Sequence, residues 1–129
     1  MTGFARLSLT VLDCPDAASL AGFYAEVTGW VENTDERGTE PDGTVSWVQL
    51  VSPDGATLAF QRVAQHRPPV WPDGDVPQQL HLDFDVPNLD EGERQVLAIG
   101  ARKADVQPGE SFRVFLDPAG HPFCLVLAR

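Results

Sequence analysis

The sequence predicts an α+β fold assembled from two unequal copies of one strand–helix–three-strand pattern. Three observations predict it. Period-two alternation opens each half, first over Leu7–Leu12 and again over Gln79–Val86. A stretch of helical apolar spacing follows each alternating run. Each half then closes on a Pro-containing, Gly-ended turn, Ser52-Pro53-Asp54-Gly55 and Asp117-Pro118-Ala119-Gly120. Corresponding landmarks lie about 65 to 75 residues apart, the mark of a duplication rather than of a solenoid.

In the first copy, Leu7, Leu9 and Val11 are expected on one face of the opening strand, with Ser8, Thr10 and Leu12 on the other. Asp16 is placed to cap a helix in which Leu20, Phe23, Tyr24 and Val27 fall on one stripe, and Gly29 ends it in a left-handed conformation. Strands are expected around 30–32, 44–51 and 56–63. In the second copy the strand Gln79–Val86 precedes a helix capped by Asp90, with Glu93 as the capping-box partner. Val96, Leu97 and Ile99 supply its apolar side and Gly100 closes it. Strands follow around 102–105, 111–116 and 122–127. The whole chain, residues 1–129, is expected to be one domain, with modules over about 4–63 and 78–129. The crossing segment between them, about 64–77, is stiffened by four prolines.

Nine basic residues against nineteen acidic ones give a net charge of −10, which argues against nucleic acid and favours neutral or cationic ligands. Surface solubility is the blander reading of that charge. No run of roughly 18 apolar residues is present to span a membrane. The N-terminus lacks the basic and apolar regions of a signal peptide, so cytoplasmic residence is expected, with Cys14 and Cys124 as thiols.

The alternation in Gln79–Val86 puts Leu80, Leu82, Phe84 and Val86 on one face and Gln79, His81, Asp83 and Asp85 on the other. An imidazole flanked by carboxylates suits a cavity wall that binds a metal, holds a cation or moves a proton. His81 is read either as a pocket residue or as a core imidazole satisfied by a carboxylate, and Asp83 either as its orienting partner or as a solvated acid. These two are the candidate catalytic residues. Gln61 and Gln79 are candidate ligand-orienting amides, or plain surface residues. Trp47, with Gln49 on the same strand face, either stacks on a flat ligand or packs in the core, and Trp71 in the crossing segment either anchors that segment or covers a cavity mouth. His66 and Arg67 are expected to face solvent, His121 to cap its turn, and Phe112, Phe115 and Phe123 to be core. No phosphate loop, Cys-x-x-Cys pair or Gly-x-Ser-x-Gly elbow occurs.

The tandem pattern resembles the vicinal oxygen chelate superfamily, which includes glyoxalase I, bleomycin-resistance proteins and extradiol dioxygenases. Phe23-Tyr24 with Gly29-Trp30, the strand beginning at His81, and Asp117-Pro118-Ala119-Gly120-His121 carry the resemblance. Phe60-Gln61-Arg62, the run His66 to Pro72 and Gln79 to Phe84 are similar to the bacterial glyoxalase-like domain subfamily. The resemblance implies two βαβββ modules whose curved mixed sheets surround a concave cavity, and a homodimer. It also implies a divalent metal (Zn, Ni, Fe or Mn) at positions that fall near Arg6, at Ala59, at His81 and at Cys124. Only His81 matches a usual ligand; Arg6 and Ala59 have no donor, and Cys124 stands in an apolar strand where a buried thiol is the ordinary reading. The expectation is therefore a metal-free protein that binds a flat or cationic small molecule. The alternative is a lyase, isomerase or dioxygenase using His81 as metal ligand or general base, and the bland reading is an accessory domain with no cavity.

Overall fold

The computed structural model describes residues 2–129, in two units, one ending at His66 and one running from Arg67 to Arg129. In the first unit, β1 (Thr10–Cys14) leads into α1 (Ala17–Thr28), followed by β2 (Val31–Glu32), β3 (Gly38–Thr39), β4 (Val45–Val51) and β5 (Thr57–Arg62). The sheet order is β1-β5-β4-β2, with β3 also on β4; β1 and β5 are parallel and the remaining pairs antiparallel. The helix forms where the sequence places it. The Asp16 carboxylate accepts from the Ser19 N–H at 3.0 Å, and Gly29 ends the helix at φ 74°. Leu20, Phe23 and Tyr24 are buried, and the Tyr24 ring stacks on Phe60 of β5 with centroids 5.7 Å apart.

The second unit repeats the topology. β6 (Leu82–Val86), α2 (Leu89–Ala98), β7 (Arg102–Lys103), β8 (Phe112–Leu116) and β9 (Pro122–Leu127) form an open sheet in the order β6-β9-β8-β7, with β6 and β9 parallel. Phe115 and Phe123 are fully buried and stack at 5.7 Å. Arg113 on β8 reaches Asp90 at 2.8 Å and Glu93 at 3.1 Å, and Lys103 reaches Glu93 at 3.0 Å, so cations of the sheet hold α2 against it. The α+β class and the two tandem βαβββ modules stand as the sequence predicts. Among the described residues no helix is long and apolar enough to cross a membrane.

Three local expectations are corrected. The opening strand begins at Thr10, and its buried residues are Leu12 and Cys14, the parity opposite to the predicted Leu7, Leu9 and Val11. Packing under α1 decides the phase, and Leu7 is left 84% exposed. In the second unit the strand begins only at Leu82, so Leu80 does not join the apolar face and is exposed. The cap of α2 is Asn88, whose side chain accepts from the Glu91 N–H at 2.9 Å; Asp90 lies inside the helix. The short β3 and the 3-10 turn Thr34–Glu36 before it carry no periodic signal in the sequence.

Candidate functional site

Parity along β6 and β9 sorts the second sheet into two faces. Leu82, Phe84 and Val86 pair in register with Phe123, Leu125 and Leu127, and Val86 and Leu125 lie nearest Gly92 of α2. The opposite face takes Asp83 and Cys124, which are direct register partners, with Val114 beside Cys124 on β8. His81 stands immediately before the strand. Its Nε2 lies 3.2 Å from Asp83 Oδ1, and donor atoms of His81, Asp83 and Cys124 all fall within 4.8 Å of one another.

Asp83 is the hub of this group. It lies beside the Cys124 thiol, whose pKa is pushed up to about 11, first by burial and then by the neighbouring Asp83 carboxylate. Cys124 is therefore a protonated thiol at neutral pH rather than a nucleophile. The imidazole and carboxylate are 43% and 56% exposed, so solvent weakens the attraction between them.

Beside the trio lies a cavity of about 220 Å³. Trp71, Pro108, Phe112, Val114 and Pro122 form its apolar walls, and Gln78, His81 and Cys124 contribute its polar groups. Trp71, Phe112 and Val126 pack against a small core of Ala104, Val114 and Cys124. Gly109 leaves room for the Phe112 ring, since any Cβ there would fall on it.

Of the predicted candidates, His81, Asp83 and Trp71 come together here. Gln79 does not: it is exposed, outside the lining, with its amide 3.4 Å from the Pro77 carbonyl. Gln78 lines the cavity instead. Strand alternation holds only from Leu82 onward, so it misdirects the choice between the two glutamines. Phe112, expected as core, is also a cavity wall. Trp47, Gln49 and Gln61 share the face of the first sheet opposite α1, where Trp47 pairs with Gln61 and Gln49 with Ala59. Trp47 and Gln49 are half-buried and Gln61 is exposed.

Residues 9–126 match the glyoxalase-like domain family. The chain belongs to that family. Solved structures share its fold. A glyoxalase/bleomycin resistance protein/dioxygenase family enzyme from Burkholderia phytofirmans is 20% identical, with a TM-score of 0.68 over 94% of this chain and 97% of that one. A glyoxylase/bleomycin resistance protein/dioxygenase domain from Frankia sp. is 23% identical, with a TM-score of 0.67 over 98% and 100%. A variant of the fosfomycin resistance protein FosX from Listeria monocytogenes, complexed with Mn(II) and 1S,2S-dihydroxypropylphosphonic acid, is 15% identical, with a TM-score of 0.72 over 98% and 95%. No curated protein matches the chain.

The glyoxalase-like family implies a metal with donors from both modules, and the register tests whether this chain supplies them. Thr10 pairs with Leu58 as Leu82 pairs with Phe123, so Leu9 stands where His81 does and Ala59 where Cys124 does. The first-module position is thus Leu9 rather than Arg6, and neither Leu9 nor the fully buried Ala59 offers a donor. A four-ligand centre does not fit these residues. Among the described residues, nitrogen, oxygen and sulfur donors come together in one cluster in the second module.

Proposed function

We propose that this glyoxalase-like protein binds a flat small molecule, neutral or cationic, in the second-module cavity beside His81. The observation that supports this reading is the cavity itself. Aromatic and proline walls converge with Gln78, His81 and Cys124 on about 220 Å³, and the Asp83 carboxylate sits at the imidazole. Mostly apolar concavity with a few fixed polar groups is the ordinary construction of a small-molecule site. The net charge of −10 adds a long-range preference against anions. A thermal-shift screen of aromatic and cationic compounds tests it: a binder at 100 times its Kd adds about 2.7 kcal/mol to stability. A panel that produces no shift, with His81→Ala indistinguishable from the parent protein, would remove this reading.

One observation favours a second reading. His81, Asp83 and Cys124 present three donors within 4.8 Å, a mixed set of the kind that zinc accepts. In that reading the protein is a lyase, isomerase or dioxygenase of the superfamily type, with the cation confined to the second module. Cobalt titration separates the two, because a thiolate–cobalt absorption band lost in Cys124→Ser requires a cation on this cluster.

A further inference from the structure

We infer that Gly74 is a positioning residue of the cavity: it lets the loop 70–76 close on itself and so holds the Trp71 indole in the wall against which a ring binds. The inference rests on the binding reading above and names the residue that sets its aromatic wall. Trp71 lines the cavity and packs against Ala104, Val114 and Cys124. The chain around it forms a closed loop, tied where the Val70 N–H donates to the Val76 carbonyl at 2.6 Å. Inside that loop a Cβ on Gly74 would fall 2.5 Å from Val70 Cγ1 and 2.6 Å from Val70 Cβ. Non-bonded carbons rest roughly 3.5–4.0 Å apart. A β-branched valine has no long flexible end to swing aside.

Backbone conformation does not explain the glycine. Gly29, Gly43, Gly55, Gly100 and Gly120 have positive φ and Gly74 does not, so its dihedral makes no demand for glycine. What the position lacks is room. The start of the segment is seated by a second close approach: a Cβ on Gly120 would fall 2.7 Å from Pro68 Cβ, which puts Pro68 on the turn between β8 and β9. Pro68, Pro69 and Pro72 stiffen the same stretch. Trp71 is thus held between a seated proline and a closed loop. A side chain at Gly74 has to push Val70 outward, and Val70 directly precedes Trp71. The displacement therefore passes to the indole. Val70 and Gly74 are both exposed, so the change takes nothing from the core and the loop yields locally.

Gly74→Ala tests this on the full chain, in a background where Trp30→Phe and Trp47→Phe leave Trp71 as the reporter tryptophan. Without any ligand, acrylamide should quench Trp71 more strongly in the variant, and its emission should move to the red. Benzamidine and toluene, two single rings of which the first is cationic, are followed by NMR shift titration. Both should bind about fivefold more weakly to Gly74→Ala, while the urea midpoint changes little. Val70→Gly combined with Gly74→Ala restores the room from the other side, so quenching and affinity should return towards those of the parent. Unchanged quenching and affinity in Gly74→Ala overturn the inference and leave the cavity reading standing. Losses that Val70→Gly does not reverse, or that only follow a fall in the urea midpoint, overturn it as well. If neither ring binds the parent protein at millimolar concentration, the cavity reading falls and takes the inference with it, whatever the quenching shows.

Discussion

The side chain of Gln107 pairs with the backbone of Val114 as a neighbouring strand would. Its amide nitrogen donates to the Val114 carbonyl at 2.8 Å, and its oxygen accepts from the Val114 N–H at 2.9 Å. The same nitrogen donates to the Ala104 carbonyl at 2.9 Å. One amide thus closes the loop between β7 and β8, the loop that carries Pro108 to the cavity. Gln107→Leu should cost about 2 kcal/mol, because it leaves the Val114 N–H and the Ala104 carbonyl without their partner. Urea unfolding should show a lower midpoint with an unchanged slope. Ring ligands should also bind less tightly, since Pro108 and Phe112 lose their fixed positions.

The caps make a sharper comparison. Asn88, not Asp90, accepts the Glu91 N–H, so Asn88→Ala should destabilise by about 1 kcal/mol. Asp90→Ala removes only an exposed pair with Arg113 and should cost about 0.5 kcal/mol or less, vanishing in high salt. Equal losses for the two variants would contradict the observed cap.

The caps also mark where sequence patterning is informative. Asp16, the stripe Leu20–Val27 and Gly29 are local signals that need no tertiary arbitration, and the first helix is found where they put it. The two Pro-Gly hairpins fixed the last strands of each module for the same reason. The phase of β1 is different. Leu7, Leu9, Val11 and Leu12 are all apolar, so alternation alone does not say which face α1 will cover, and only packing chooses Leu12 and Cys14. The site divides in the same manner. His81 and Asp83 stand out by chemistry within an alternating strand, whereas Gln78 lies before the strand begins, where no period applies. That Gln78 lines the cavity is a fact of three-dimensional packing that no residue pattern encodes.

Alkaline pH should weaken the fold through Cys124. Its thiol is raised from an ordinary 9.0 to about 11, by burial first and by Asp83 second. A proton bound more tightly in the folded state stabilises it. That contribution is complete below about pH 9, the unfolded value, and is lost as pH rises through the folded value near 11. Denaturant midpoints measured between pH 8 and pH 11 should fall more steeply for the parent protein than for Cys124→Ala. Asp83→Asn should lie between them, because it removes the smaller causes of the shift and leaves burial.

Tryptophan fluorescence distinguishes the second-module cavity from the first-module face as the place where a ring binds. Trp71 lines the cavity, while Trp47 sits on the first sheet beside Gln61. A ring entering the cavity lies against the Trp71 indole and should change its emission. The ligand-dependent change should disappear in Trp71→Phe and persist in Trp47→Phe. Phenylalanine keeps an aromatic wall against Ala104, Val114 and Cys124, so affinity should fall only a few-fold, by roughly 1 kcal/mol or less of lost contact. Trp71→Ala should lose more, because it opens the wall and removes packing from that small core. The opposite pattern, a signal carried by Trp47 and indifferent to Trp71, would move the ligand to the face that holds Gln49 and Gln61.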